Sequence, residues 1–145
     1  MQTPLSMLLS DKGSSIYSVS SKETVQSCAQ KMSQFNVGIL LVIEGEDLVG
    51  VVSERDIVHK IVSPQLDPTT TPIIKIMTTK VVTASPRTTV QEAMHIITEQ
   101  RFRHLPVLEN GKLQGVISIG DLTRWVMLAQ ERDISSLTGY ITGNH

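Results

Sequence analysis

Ser118 and Asp121 stand three residues apart at the end of an apolar run, Gly115-Val116-Ile117-Ser118-Ile119-Gly120-Asp121-Leu122. Ser53 and Asp56 do the same in Gly50-Val51-Val52-Ser53-Glu54-Arg55-Asp56-Ile57. Each run reads as a strand that stops at the Ser, with a helical pattern beginning near the Asp. Such a junction can bind anions and diols. A helix start offers unpaired amide protons and a partial positive charge to a phosphate, and the Ser hydroxyl adds a donor. An ionised Asp only accepts, so it can take both hydroxyl hydrogens of a ribose diol. The same spacing is also a plain capping box, in which the Ser oxygen satisfies free amides of the first helical turn. The two roles are compatible.

The elements that must position these pairs are themselves written twice. At an offset of 65 residues, Thr24-Val25-Gln26 lies over Thr89-Val90-Gln91, Leu40-Leu41-Val42 over Leu105-Pro106-Val107, Glu44 over Glu109 and Gly50-Val51 over Gly115-Val116. No gap is needed from Ile16/Val81 to Val58/Thr123, so the chain is an internal duplication. Each copy reads strand, helix, strand, strand, helix. In the first copy, Ile16 to Val19 suggests a strand, and Val25, Cys28, Ala29, Met32 and Phe35 mark one apolar face of a helix that Asn36 and Gly38 end. Ile39 to Ile43 reads as a buried strand that turns at Glu44-Gly45-Glu46-Asp47 and returns from Leu48 as a hairpin partner. In the second, Asn110-Gly111 is a two-residue hairpin turn, and Val90, Ala93, Met94, Ile97 and Arg101 trace the helix.

Before the first copy, residues 1–15 predict a loop with a short helical turn. Between the copies, Pro64, Pro68, Pro72 and three consecutive Thr make a linker, with a brief helical turn at Ile73 to Met77. The expected organisation is a first repeat over 8–63, a linker over 64–76, a second repeat over 77–126 and a C-terminal helix and tail over 127–145. Leu122, Trp125, Val126, Ala129, Ile134, Leu137 and Ile141 continue an apolar helical stripe that needs a surface to cover it.

Bulk properties narrow the function classes. With 145 residues, 40% of them hydrophobic and 19% charged, the composition is that of a soluble globular protein. A net charge of −1 gives no electrostatic case for nucleic acid or an anionic membrane. No apolar run approaches membrane-spanning length and no basic leader precedes the first one, so a cytoplasmic protein is expected. The lone Cys28, on a helical pattern with no His or Arg beside it, reads as a core hydrophobe. His59, His95 and His145 are scattered, so no metal site is expected, and no nucleophile with a base or Gly-rich phosphate loop can be named. Catalytic residues: none.

The tandem of Gly-Val-Val-Ser-Glu-Arg-Asp-Ile in one copy, with Arg101-Phe102-Arg103-His104-Leu105-Pro106-Val107 and Gly-Val-Ile-Ser-Ile-Gly-Asp-Leu in the other, resembles the cystathionine-β-synthase (CBS) domain pair, or Bateman module. The likeness runs from about Leu8 to Val126 and includes Lys75-Ile76-Met77-Thr78. It implies an α+β (α/β) fold in which two βαββα repeats pack sheet to sheet about a pseudo-twofold axis. It also implies two related clefts that take adenosine compounds: AMP, ADP or ATP, with NAD(H) or S-adenosylmethionine as further members. No cofactor is required. Such pairs usually form dimers, so a homodimer is expected, with an unidentified client protein that reads the ligand state.

The resemblance assigns phosphate to Ser118 and ribose to Asp121, with Ser20, Val25, Val37 and Ile39 of the other copy around the base and Arg103 and His104 reaching phosphate. For Ser53 and Asp56 the counterparts are Ser85, Val90, Phe102 and His104, with Arg55 as the local cation opposite the position that Gly120 takes in the second copy. The copies differ where Arg103 and His104 stand over Gly38 and Ile39. A guanidinium adds a charge-assisted contact, so the Ser118/Asp121 site is expected to hold a polyanion better. The competing readings are a ligand-independent dimerisation scaffold and, less well supported, an enzyme acting on nucleotides.

Overall fold

The computed structural model describes residues 2–12, 16–101 and 103–142. Its elements run α1 (Leu5–Lys12), β1 (Ser18–Val19), α2 (Val25–Phe35), β2 (Ile39–Glu44), β3 (Asp47–Ser53), α3 (Glu54–Ile57), α4 (Val90–Gln100), β4 (His104–Glu109), β5 (Lys112–Ser118) and α5 (Ile119–Thr142). A π turn at Val58–Val62 continues α3, and a 3-10 turn spans Ile73–Lys75. Phe102 and the tail 143–145 lie outside the described residues, as do the side chains of Ile134, Leu137, Tyr140 and Ile141.

The duplication is carried down to the register. Antiparallel β2 and β3 pair Val42 with Gly50 and Ile39 with Ser53; β4 and β5 pair Val107 with Gly115 and His104 with Ser118. Each ladder slips at the same place, between Val42 and Ile43 and between Val107 and Leu108. Thr24 caps α2 by accepting from the Ser27 amide, and Thr89 caps α4 by accepting from the Glu92 amide. The second hairpin turns at Asn110 and Gly111, both with positive φ, as a tight two-residue connection demands.

The copies part company at their first strand. β1 runs parallel to β2, and the Leu41 amide donates to the Tyr17 carbonyl. In the second copy Pro106 stands where Leu41 does and has no amide hydrogen, so the corresponding strand shrinks to a single bridge between Ala84 and Val107. The expected five-element repeat is therefore complete in the first unit only. Phe35 also departs from expectation: it is exposed and stacks on Tyr17 with ring centroids 4.4 Å apart.

The segments flanking each repeat are exchanged. Ile73 and Ile76, from the linker, are buried with Val19, Val25, Cys28, Met32, Leu40, Val42, Val52 and Ile61 in the first unit's core. Leu5 and Leu8, from the chain's start, are buried with Ala84, Val90, Ala93, Ile97, Leu105, Val107, Ile117 and Leu122 in the second unit's core. The residues before each repeat thus fill the other repeat, as a twofold operation would require, and β3 lies against β5 between the two cores.

This exchange explains the paired glycines. A Cβ on Gly50 would stand 2.9 Å from the Thr78 carbonyl oxygen and 3.0 Å from Met77 Sδ, whereas one on Gly115 would stand 2.6 Å from Leu9 Cδ2. Backbone cannot yield as a leucine methyl can. Gly50→Ala is expected to cost about 3 kcal/mol and Gly115→Ala about 1 kcal/mol, the two ends of the overpacking range. Urea denaturation midpoints at constant m-value test the order, and equal losses would place the arms differently.

Candidate functional site

Both Ser-x-x-Asp junctions form capping boxes. The Ser118 amide donates to Asp121 Oδ2 at 2.8 Å and the Asp121 amide donates to Ser118 Oγ at 3.1 Å. In the first unit the Ser53 amide donates to Asp56 Oδ2 at 3.0 Å and the Asp56 amide to Ser53 Oγ at 3.2 Å. The capping role anticipated from the spacing is present in both copies.

The ladders set what stands beside each box. His104 pairs with Ser118 across β4 and β5, and the Ile119 amide donates to the Arg103 carbonyl at 2.8 Å. Arg103, His104, Ser118 and Asp121 therefore meet at one strand end and helix start, with the Arg103 side chain exposed. In the first unit Ile39 pairs with Ser53, and the Glu54 amide donates to the Gly38 carbonyl at 2.9 Å. Gly38 and Ile39 occupy the places of Arg103 and His104, and Arg55 is exposed on α3.

The two aspartates have different neighbours. Asp56 is 9% exposed; its Oδ1 accepts from Thr78 Oγ1 at 3.2 Å and pairs with Lys60 Nζ at 3.0 Å, while Ser53 Oγ donates to Oδ2 at 3.1 Å. Lys60 also donates to the Ile76 carbonyl at 2.8 Å, so it ties the π turn after α3 to the exchanged linker segment. Asp121 pairs with the exposed Arg124 at 3.4 Å and lines a cavity of about 480 Å³ with Leu8, Asp11, Trp125, Leu128 and Arg132. Trp125, half-buried, also packs on the second unit's core. Of these neighbours Lys60, at i+4 from Asp56, and Arg124, at i+3 from Asp121, were readable as helix pairs. Thr78 comes from 22 residues away and leaves no local signal.

Val25 and Val90 are fully buried, one in each core. Val37 and Gly38 line a second cavity of about 490 Å³ with Ala29, Met32, Ser33, Asn36, Glu54, Ile57 and Val58. Neither cavity gathers Ser20, Val25, Val37 and Ile39 beside Asp121. Ser20 is engaged in its own turn: its Oγ donates to Glu44 Oε1 at 3.1 Å and its amide to Glu23 Oε2 at 2.7 Å. Ser85 is engaged likewise, its amide donating to Thr88 Oγ1 at 3.0 Å and its Oγ accepting from the Arg87 amide at 3.2 Å. Cys28 is buried, and burial pushes its thiol up to about 11, as suits a core residue.

The turn around Ser20 and Ser21 is held by carboxylates. The Ser21 hydroxyl and amide and the Ser20 hydroxyl all donate to Glu44 and hold its carboxyl below the ordinary value. For Glu23, burial pushes upward, but donors from the Ser20 amide, Lys31 and Ser27 outweigh it and the net shift is downward. A carboxylate with a depressed folded pKa adds stability that is fully present above its unfolded value of 4.5 and is lost as pH falls through the folded pKa. Stability is therefore expected to drop on acidification below about pH 4.5, and Glu44→Gln should flatten that drop. Denaturation curves at pH 6 and pH 3 for both proteins measure it; an identical loss in Glu44→Gln would assign the effect elsewhere.

Comparison with known proteins agrees with this geometry. The CBS domain family model matches residues 13–63 and 73–128. The chain is 35% identical over 128 residues to the CBS domain-containing protein CBSX3, mitochondrial, of Arabidopsis thaliana, a match over 85% of this chain and 62% of that protein, under two thirds of its length. Its fold is similar to that of a putative signal-transduction protein with CBS domains from Burkholderia ambifaria MC40-6, with 40% identity, a TM-score of 0.82 and coverage of 88% of this chain and 96% of the other. It is also similar to a CBS domain protein from Pyrobaculum aerophilum complexed with AMP, with 29% identity, a TM-score of 0.72 and coverage of 81% and 88%. Two matched copies, exchanged flanking segments and a duplicated capping box with a common ladder register lead to one assignment: the chain belongs to the CBS domain family and carries two of its domains in tandem.

Proposed function

We propose that the chain is a regulatory module that binds an adenosine-containing nucleotide, of the AMP, ADP or ATP type, at the helix start formed by Ser118 and Asp121. The observation that carries this reading is the ladder register that sets His104 opposite Ser118 and ties the Arg103 carbonyl to the Ile119 amide. It brings a cation, an imidazole, a hydroxyl and a carboxylate to one helix N-terminus, the chemistry that phosphate and a ribose diol require. The AMP-complexed relative from Pyrobaculum aerophilum supports the ligand class. The Ser53/Asp56 junction is the weaker site, because Gly38 stands where the second copy has Arg103 and brings no cation to it.

The module acts by packing and not by turnover: nucleotide favours one arrangement of the two repeats, or of a homodimer of the chain, and a client protein reads it. Isothermal titration of the purified chain with AMP, ADP, ATP, NADH and S-adenosylmethionine tests the reading. Saturable heat with an adenine nucleotide is the expected result. No saturable heat with any of the five would leave the scaffold reading in its place.

A further inference from the structure

The two seats that receive the exchanged segments are built alike, although different stretches of chain fill them. In the first unit the Val25 amide donates to the Thr71 carbonyl at 2.9 Å, the Ile73 amide to the Glu23 carbonyl at 2.8 Å and the Ile74 amide to the Ser21 carbonyl at 3.0 Å. In the second, the Val90 amide donates to the Thr3 carbonyl at 2.8 Å, the Leu5 amide to the Thr88 carbonyl at 2.8 Å and the Ser6 amide to the Pro86 carbonyl at 3.0 Å. Thr3-Pro4-Leu5 thus occupies its seat as Thr71-Pro72-Ile73 occupies the other. Pro4 bridges Thr89 as Pro72 bridges Thr24, and Leu5 and Ile73 are both fully buried. The recognition is the same in each case: two carbonyls and one amide on the seat, a Pro that needs no donor, and a pocket for one aliphatic side chain.

Connectivity separates them. Thr71-Pro72-Ile73 is threaded between the repeats, whereas Thr3-Pro4-Leu5 precedes both of them and reaches them through α1. We propose that the second unit carries a docking seat for a Thr-Pro-aliphatic segment, filled here by the chain's own arm, and that the same arm from a second copy can take the seat. The seat reads backbone and one leucine, features that a second copy's arm supplies without change. Release of the arm opens one wall of the Asp121 cavity, because Leu8 and Asp11 of α1 line it, and a second copy's arm would close it again. The proposal stands apart from nucleotide binding, since it requires no ligand.

Native-state hydrogen exchange on the full chain tests it. The amides of Leu5, Ser6 and Val90 are expected to exchange about 100-fold faster than the amides of the β4–β5 ladder, through opening of the arm alone. Exchange at the ladder's own rate would mean that the arm opens only with the whole fold, and would overturn the proposal. A synthetic peptide of residues 2–12 supplies the second measurement. It is expected to bind the full-length Leu5→Asp variant, whose own arm is unseated, with saturable 1:1 stoichiometry, while the same peptide carrying the Leu5→Asp change does not bind. Absence of saturable binding by the unaltered peptide also overturns the proposal. Should Leu5→Asp not fold, the hydrogen-exchange comparison on the unaltered chain decides alone.

Discussion

Asp56→Ala is expected to lower the stability of the chain by about 2–3 kcal/mol, more than any other single change at either junction. The carboxylate is 9% exposed and engages three groups besides the cap: Ser53 Oγ, Thr78 Oγ1 and Lys60 Nζ. Its loss removes the N-cap partner of the Ser53 amide, a term of about 1 kcal/mol. It also strands the Thr78 hydroxyl, which is half-buried, at a further cost of about 1–2 kcal/mol. Lys60 adds less, because its side chain is 44% exposed and can turn to water. Asp121→Ala is expected to cost only about 1 kcal/mol, since its ion pair is with an Arg124 that is 72% exposed. Urea denaturation of both variants, with Thr78→Val alone and combined with Asp56→Ala, measures the terms. Strict additivity of Thr78→Val and Asp56→Ala would show that the two side chains do not act together.

How much of this was legible in the sequence depends on the range of each interaction. The duplication, the two hairpins and the capping boxes are local, so spacing alone reveals them. Asn36 announced the end of its helix, and it sits in the left-handed region with φ 55. Its twin Arg101 takes φ 58 at the same place, although arginine carries no such signal; the duplication is what makes the position readable. Pro106 was visible too, but its effect on the strand paired with β4 required knowing that Leu41 donates to the Tyr17 carbonyl.

The exchanged arms were not legible. A Leu or Ile near a proline shows that it must be buried, but not in which repeat, because hydrophobic periodicity carries no partner. The candidate site divides in the same way. Ser118 with Asp121 and Ser53 with Asp56 are three-residue spacings, and the His104 placement follows from a hairpin register. Val25 is a cleft wall by family resemblance alone; its spacing shows only an apolar helix face, and it is fully buried in the first core. Thr78 reaches Asp56 across the exchange of arms and so depends on the topology as a whole.

Nucleotide affinity at the proposed site is expected to respond to Arg103 and Asp121 in different ways, and the difference separates the parts of the ligand that the proposal assigns to each. Arg103→Ala should weaken ADP and ATP about tenfold, or about 1.4 kcal/mol, while leaving adenosine unaffected. The Arg103 side chain is exposed, so this loss should shrink as salt rises. Asp121→Asn retains a side-chain oxygen for the Ser118 amide, so the cap and fold survive. It removes one acceptor and the charge facing a ribose diol, and should weaken AMP, ADP, ATP and adenosine alike, by about 10–100-fold. A 2′-deoxynucleotide, already lacking one hydroxyl, should lose less affinity on the same substitution, because the contact is missing before the change is made. Titration calorimetry of the two variants against adenosine, ATP and 2′-deoxy-ATP at two salt concentrations gives all of these values. If Asp121→Asn weakened 2′-deoxy-ATP as much as ATP, the carboxylate would not be reading the diol. If Arg103→Ala weakened adenosine as much as ATP, the guanidinium would be supporting the fold of the strand end and not the phosphates.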